Sequence, residues 1–376
     1  MNVRTPHGLI IGKFYPPHAG HHLLIRTAAA VSHRVTVLVL DHPAESIPVA
    51  DRVAWLREVH RDDEGVAIVG ATDPHPVDYE DPDVWDLHVG LFRDLAATVT
   101  PEPVTAVFSS EPYGEELARR LGARPVAVDP DRVLAPISAT AVRQDPVTHW
   151  ESLAEPVRGA LACRVVVVGA ESTGTTTVAL ALRDALRARG GSHGLTRWVP
   201  EHGRDATVEK LATARAQAGV DGIAAPPTMD ELVWRSDEFV TIARTQNALE
   251  DAAARLGGPV LVCDTDAFAT GIWHERYEGT RSAAVEDLAR HHPLYLLTDP
   301  EGVPFVQDGL RDGEGIRDWM TGRFVEALEA SGRPTVVLKG SLEQRVADGL
   351  AAIDALLAAH WRFAAPVTPV NGAASL

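Results

Sequence analysis

Twice in this sequence an apolar run of strand length breaks at a glycine-bearing turn and resumes as an amphipathic helix. The first instance is LIIGKFYPPHAGHHLLIRTAAAV, Leu9 to Val31, and the second is RVVVVGAESTGTTTVALALRDALRA, Arg164 to Ala188. Each reads as a strand, a loop and a helix, the repeating unit of a parallel sheet covered on both faces. A helix start aims free N–H groups and a partial positive charge outward, so each loop is also a site for phosphate. A chain of 376 residues exceeds one ordinary core, and restarting the unit at residue 164 marks a second domain.

The first loop, GKFYPPHAGHH from Gly12 to His22, carries two imidazoles three residues apart, His18 and His21, and a cation, Lys13. Pro16 and Pro17 stiffen the turn, while Gly12 and Gly20 let backbone approach a ligand. Two histidines so placed can donate hydrogen bonds to an α-phosphoryl group as negative charge builds on it. A metal reading does not compete, because no Cys, Asp or Glu lies near enough in sequence to complete a ligand set.

Strand candidates continue as RVTVLVL, VAIVGA, TAVFSS and PVAVD, alternating with helices over 20–32, 51–60, 84–98 and 115–121. Ligands gather at the carboxyl ends of such strands, where the first loop lies. A second local site is ISATAVR, Ile137 to Arg143: Ser138 and Thr140 open a helix, and Arg143 adds a charge-assisted fork. The same residues equally make a plain N-cap.

After a proline-bearing stretch, Pro146 to Pro156, the second loop matches GxxxxGK[ST] from Gly169 to Thr176 except that Thr175 stands in the lysine position. RWVPEHGRDA reads as a strand end and turn carrying Glu201, Arg204 and Asp205. A long helix is expected from about Asp230 to Leu256, before PVLVCDTD, a strand tipped by Asp264 and Asp266. Acids there can hold Mg²⁺ or orient a substrate hydroxyl. QDGLRDGEGIR, Gln307 to Arg317, reads either as a mobile lid that brings Arg311 and Arg317 over phosphates or as a charged surface loop.

Net charge is −17, with no basic face or tail, so nucleic-acid binding is not expected and anions must be met by local cations. Only three of the 35 basic residues are lysine: Lys13, Lys210 and Lys339. The apolar runs are too short to span a bilayer, no secretory signal is apparent, and Cys163 and Cys263 fall beside expected core strands. Membrane insertion is therefore not expected, and a reducing cytoplasm is.

The string GxFxPxHxGH is the signature of the HxGH nucleotidyltransferases, and ISATAVR resembles the second signature of that superfamily, which holds the β- and γ-phosphates of ATP. Taken in order, GKFYPPHAGHH, DRVAWL, the WD of DPDVWDLHV, ISATAVRQDP, GAESTGTTT, EHGRD, DTD, RYEG and DGLR resemble the bifunctional NAD-biosynthesis proteins of the NadR type, over roughly residues 7 to 345. The resemblance implies an α/β protein of two domains. A Rossmann-like HxGH nucleotidyltransferase domain (1–145) would be joined by a connector (146–162) to a P-loop kinase-like domain (163–362), with a disordered tail (363–376). Some members carry a helix-turn-helix domain before the first strand. Here only residues 1–8 precede it, so that domain and DNA binding are not expected.

By the resemblance, the first domain would transfer AMP from ATP to nicotinamide mononucleotide. His18, His21 and Lys13 would be catalytic, Gly12, Phe14, Ser138, Thr140 and Arg143 would hold ATP, and Arg52 would face the mononucleotide phosphate. Trp85 would lie on the nicotinamide ring, as a flat cation suits an indole face, or would simply pack a helix. The second domain would phosphorylate nicotinamide riboside at its 5′-hydroxyl. Gly169, Glu171, Ser172, Thr173, Gly174, Thr175, Thr176 and Thr177 would bind ATP with Arg311. Glu201, Arg204 and Asp266 would bind the riboside, Asp264 would be catalytic, and Thr176 and Asp264 would hold Mg²⁺. A missing donor of this kind costs about 2.7–4 kcal/mol of transition-state stabilisation, so Thr175 requires a substitute cation, Arg311 or Arg317 first and Arg204 next. The alternative is a nucleotide-sensing module that regulates the first half or contacts a riboside transporter. A homo-oligomer is expected, and the connector should let the halves be separated near Glu155.

Overall fold

Each loop-bearing strand is the middle strand of its own parallel sheet in the computed structural model, which describes residues 4–42, 45–78, 80–223 and 225–365. The first sheet is built from β1 (Thr5–Gly12), α1 (Ala19–Val31), β2 (Ser32–Asp41), α2 (Val49–Val59), β3 (Val66–Thr72), α3 (Pro82–Val99), β4 (Ala106–Ser109), α4 (Tyr113–Leu121) and β5 (Arg124–Ala127). Its order is β3-β2-β1-β4-β5, so the chain runs outward from β1 one way, returns, and runs out the other way. The reversal leaves a crevice at the carboxyl end of β1.

Side chains of β1 alternate between two cores, as a strand covered on both faces requires. Ile10 packs with Ile25, Leu56 and Phe108 on one side, while Leu9 and Ile11 pack with Trp85, Phe92 and Leu117 on the other. α3 starts where Asp81 accepts the N–H groups of Asp83 and Val84 and Pro82 supplies the first turn, and α4 stops at Gly122 with φ +69°.

Two short helices, α5 (Ala139–Gln144) and α6 (Glu155–Leu161), lead to β6 (Cys163–Val168) and α7 (Thr175–Arg187). Then come β7 (Arg197–Val199), α8 (His202–Val220), α9 (Ser236–Leu256), β8 (Val260–Asp264), α10 (Ala267–Glu278), α11 (Ala283–Glu286), β9 (Leu294–Thr298), α12 (Arg317–Ala330), β10 (Thr335–Leu338) and α13 (Leu342–His360). The order is β10-β9-β6-β8-β7, again with the loop-bearing strand central. Val165 and Val167 are buried with Val178 and Leu182 of α7 and Ile353 of α13.

The structure alters the expected organisation in four places. The turn after β7 begins a helix of 19 residues, α8, and α9 starts at Ser236 rather than near Asp230. Contacts divide the chain between Val157 and Arg158, within the expected connector and inside α6, so a cut near Glu155 would part the buried Pro156 and Val157 from the first unit. The second unit ends at His360, and the chain rejoins the first unit from Trp361. Phe363 and Ala364, expected in a disordered tail, make defined contacts, while residues 366–376 of that tail lie outside the described residues. Among the described residues no helix is long and apolar enough to cross a membrane.

Candidate functional site

A cavity lies at the end of the central strand of each unit. In the first unit the cavity is about 130 Å³ and is lined by Gly12, Lys13, Phe14, Tyr15, His18, His21, Ser138, Thr140 and Arg143, with Asp129 and Arg132 added. Its histidines are fixed by a reciprocal cap. His18 is the N-cap of α1 and its Nδ1 accepts the Gly20 N–H (3.2 Å), while the His18 N–H donates to Nδ1 of His21 (3.2 Å). The rings stack with centroids 3.8 Å apart, and Phe14 lies 4.7 Å from His21.

Burial, then the charges of Arg132 and Arg143, push His18 down to about 3; burial and the neighbouring His18 hold His21 well below the usual imidazole range. Both rings are therefore neutral at pH 7. With each Nδ1 accepting, the proton of each ring sits on Nε2. The loop thus presents two Nε2–H donors without bringing in two cations.

Around them, Arg143 donates to the Tyr15 carbonyl (2.6 Å) and to Thr140 Oγ1 (3.1 Å), and its guanidinium lies 5.2 Å from the Tyr15 ring. Ser138 is the N-cap of α5, accepting the Ala141 N–H (3.1 Å), so the capping and cavity-lining readings hold together. Lys13 Nζ is 3.2 Å from Glu45, whose carboxylate also meets Arg52 at 3.1 Å.

Two residues expected to meet substrate in this half do not line the cavity. Arg52 is fully buried and donates to the carbonyls of Lys13 (2.6 Å) and Leu40 (3.1 Å) and to Asp41. It braces the loop from beneath and does not face the cavity. Trp85 lies outside the cavity in the core beside α4, with the Arg120 guanidinium 5.6 Å from its ring. It edges a hollow of about 20 Å³ with Ile11, Val77, His88, Phe92 and Tyr113, of which Ile11 and Tyr113 also line the main cavity.

Sequence reasoning missed Arg132, which lines the cavity and lies with φ +51°. It is placed by Asp129, φ +49°, whose carboxylate accepts the N–H groups of Val133 (2.8 Å), Leu134 (3.0 Å) and Ala135 (2.9 Å). The available signal was Asp-Pro-Asp-Arg just after β5, a turn-forming string in which Asp bonds its own following backbone.

The second cavity, about 480 Å³, is lined by Gly169, Ala170, Glu171, Ser172, Thr175 and Thr176 of the loop, by Glu201, Arg204, Asp264 and Arg311, and by the aromatic walls Trp198, Phe239, Trp273 and Tyr277. Gly169 is required: a Cβ there would stand 2.3 Å from Thr298 Oγ1. Burial pushes Asp264 up to about 6 against the pull of the Thr176 and Thr175 hydroxyls, and burial with the neighbouring Asp264 pushes Glu201 up to about 8. Two carboxyls of one cavity are thereby held in different protonation states near pH 7.

Several residues expected to touch ligand do not line this cavity. The Thr173 hydroxyl bonds the Ala170 carbonyl (2.7 Å) and Thr298 (2.7 Å), and Gly174 and Thr177 are likewise absent from the lining. Asp266 is buried as the N-cap of α10, accepting the Ala269 N–H (2.9 Å) and the Tyr295 hydroxyl (2.7 Å), so it is a fold residue. Arg317 donates to the carbonyls of Ser172 (2.9 Å) and Val303 (2.8 Å), bracing the loop from outside the cavity. Arg345 does the same at Thr173 (2.9 Å).

The segment expected as a lid is tied down. The Gly313 N–H donates to Glu171 (2.7 Å), which also holds Arg276 (3.0 Å), and the Val306 N–H donates to the Ser172 hydroxyl (2.8 Å). Arg204 and Arg311, the cavity-lining cations, share Asp308 at 2.6 and 3.6 Å. Asp264 Oδ1 is buried without a partner beside the Thr176 hydroxyl, which suits Mg²⁺: this ion takes one or two protein ligands and completes its shell with phosphate and water. Among the described residues no group of three His, Cys, Asp or Glu could hold a metal by itself.

Five non-glycine residues of the described chain lie at positive φ: Phe14, Asp129, Arg132, Ser172 and Thr265. All five line one cavity or the other. Strained backbone concentrates where surroundings over-determine a site.

Comparison with known proteins matches residues 9–145 to the Cytidylyltransferase-like family and residues 164–345 to the AAA domain family. The trifunctional NAD biosynthesis/regulator protein NadR of Salmonella typhimurium is 25% identical over 317 residues, covering 81% of this chain and 71% of the relative. Its Escherichia coli counterpart is 25% identical over 337 residues, covering 86% and 76%. Among solved structures, a NadR protein in complex with NR superposes with a TM-score of 0.68 at 20% identity, covering 93% of this chain and 96% of that one. A NadR protein in complex with NAD and AMP-PNP gives 0.66 at 21%, with the same coverage.

Proposed function

We propose, from the premise that this chain is a NadR-type protein, that its first domain transfers AMP from ATP to nicotinamide mononucleotide and that its second phosphorylates nicotinamide riboside. The relatives are named for NAD biosynthesis, and the solved NadR proteins hold NR, NAD and an ATP analogue. The observation that carries the first half is the pair of neutral histidines fixed as Nε2–H donors over a cavity lined with Lys13, Arg132 and Arg143.

In adenylyl transfer a phosphate oxygen of the mononucleotide attacks the α-phosphorus of ATP, the bond to the bridging oxygen breaks, and pyrophosphate leaves. The two donors act on the α-phosphoryl oxygens as charge grows there, and the cations hold the departing phosphates. In the second domain the riboside 5′-hydroxyl attacks the γ-phosphorus and ADP leaves. Asp264, largely ionised at pH 7, accepts the hydroxyl proton, and Glu201, largely protonated, can donate to a ribose oxygen. Mg²⁺ held by Thr176 and Asp264 would neutralise phosphate charge. Arg311, helped by Arg204, supplies the cation that Thr175 does not. Two buried free thiols, Cys163 and Cys263, fit a reducing cytoplasm.

One observation favours a nucleotide-sensing second domain: the residue in the lysine position, Thr175, spends its hydroxyl on Asp264 and brings no charge. The test for both halves is to incubate the protein with ATP, Mg²⁺ and either nicotinamide mononucleotide or nicotinamide riboside and to identify each product. NAD with pyrophosphate supports the first half, and nicotinamide mononucleotide with ADP supports the second. Riboside and ATP bound without product would mark a sensor.

A further inference from the structure

The chain returns to its beginning. Past α13, Trp361 stands 6.1 Å from Trp150, a fully buried ring of the first unit. Phe363 meets the Tyr15 ring edge-on at 6.1 Å, and the Ala364 N–H donates to Ser46 Oγ (3.2 Å) across 318 residues of sequence. Tyr15 and Ser46 are themselves coupled: the Ser46 N–H donates to the Tyr15 hydroxyl (2.9 Å), which shares a further hydrogen bond with Ser46 Oγ (2.5 Å).

This small assembly adjoins two of the first cavity's three cations, Arg143 directly and Lys13 through its partner Glu45. Ser46 follows Glu45, the partner of Lys13. Tyr15 gives its carbonyl and its ring face to Arg143, and its ring lies 5.6 Å from the Arg52 guanidinium. Three residues after Tyr15 the loop reaches His18. The Tyr15 ring is thus held between guanidinium groups and Phe363, so removing Phe363 takes away one wall of the ring and loosens the carbonyl that orients Arg143.

We propose that Trp361 to Ala364 is a positioning element of the first cavity, with Phe363 setting Tyr15 and thereby the aim of Arg143, Lys13 and His18. The inference rests on reading that cavity as the adenylyl-transfer site. A displacement of about 1 Å there costs up to a hundredfold in rate.

The test compares the full chain with Phe363→Ala, with Phe363→Tyr, and with the chain ended at His360. The expected result for Phe363→Ala and for the shortened chain is a ten- to hundredfold lower kcat for NAD formation, riboside phosphorylation within twofold of the parent, and recovery with Phe363→Tyr. Hydrogen exchange supplies a readout that needs no activity: amides of Phe14, Tyr15 and His18 to His22 should lose protection at least tenfold, with Leu9 to Ile11 of β1 unchanged. Unchanged exchange at the loop in Phe363→Ala overturns the proposal, as does unchanged kcat. If the shortened chain loses protection in β1 as well, it has unfolded, and the two point variants decide. If the parent makes no NAD, the functional reading fails, and the exchange at Tyr15 to His22 still decides whether the segment positions the loop.

Discussion

The two glycine-bearing loops each leave the central strand of a five-stranded parallel sheet, yet they are equipped in opposite ways. Between Lys13 and His21 the first loop carries its own reactive groups, and hydrogen bonds spanning two or three residues set their tautomers. The second loop has glycines and hydroxyls of its own. Its acid comes from β8, its cations come from α8 and the segment before α12, and its carbonyls are braced by Arg317 and Arg345. The first loop brings its own donors and needs distant residues only to aim them, whereas an assembled site can lose its lysine only because other elements already bring charge to it.

The largest effect should come from the brace beneath the first loop. Arg52→Ala leaves Glu45 buried opposite Lys13 alone and should destabilise the protein by about 3–5 kcal/mol in denaturant unfolding. A variant that keeps its stability and loses only affinity for nicotinamide mononucleotide would restore the phosphate-contact role and make the first site an assembled one too.

Next is His18→Asn, which keeps an N-cap acceptor and removes Nε2–H. Turnover to NAD should fall about a hundred- to thousandfold while ATP affinity barely changes, with His21→Ala behaving alike. Near-normal turnover would strip the loop of its supposed self-sufficiency. His18 is a buried cap as well as a donor, so alanine at this position would also cost about 1 kcal/mol of helix stability, and the Asn variant is the cleaner probe.

In the second site Arg311→Ala should lower riboside-dependent ADP formation by about a hundredfold or more, Arg317→Ala should do less, and Thr175→Lys should raise the rate or leave it unchanged. A parent domain that binds ATP without turnover, and that Thr175→Lys awakens, would instead identify a sensor.

The smallest effect is in pH dependence. Burial keeps His18 and His22 at about 3 in the folded first unit, while unfolded imidazoles titrate near 6.5. The unfolded chain then binds more protons, so stability present above pH 6.5 is lost as pH falls. Glu201 and Glu250 are raised to about 8, so the folded second unit holds protons that the unfolded chain releases, and stability is lost as pH rises from about 4.5 to 8. His88, raised despite its burial because Asp73 bonds it, gives the first unit a weaker alkaline loss. Calorimetric melts at pH 6.5 and 8 should show one transition falling, and Glu201→Gln with Glu250→Gln should flatten it. Equal shifts in both transitions would erase the contrast.

What the sequence made legible follows the same division. Strand order could not be read, but both loops, most strands and the first cavity's His18, His21, Ser138, Thr140 and Arg143 could, because each depends on neighbours within a few residues. Arg52 and Asp266 carry charge next to motifs, and only tertiary structure shows that their charges are consumed by carbonyls, a helix start and a tyrosine. Arg132 was hidden because its placement depends on a left-handed turn organised by Asp129. The last segment, with small residues and a proline ahead, has the composition of a tail, and its contacts are with two rings and a serine hydroxyl more than two hundred residues away.

The five left-handed residues around the cavities have a consequence for anyone who would evolve this protein toward heat resistance. Each costs roughly 1–2 kcal/mol that glycine would not incur, but Phe14 is buried in the core and Asp129 and Ser172 accept backbone N–H groups, so only Arg132 and Thr265 offer stability that is easily gained. A library screened by survival at high temperature alone should accumulate glycine at positions 132 and 265. It would thereby remove side chains from both cavities at once, so a screen that also demands product is needed to keep the catalyst while hardening the fold.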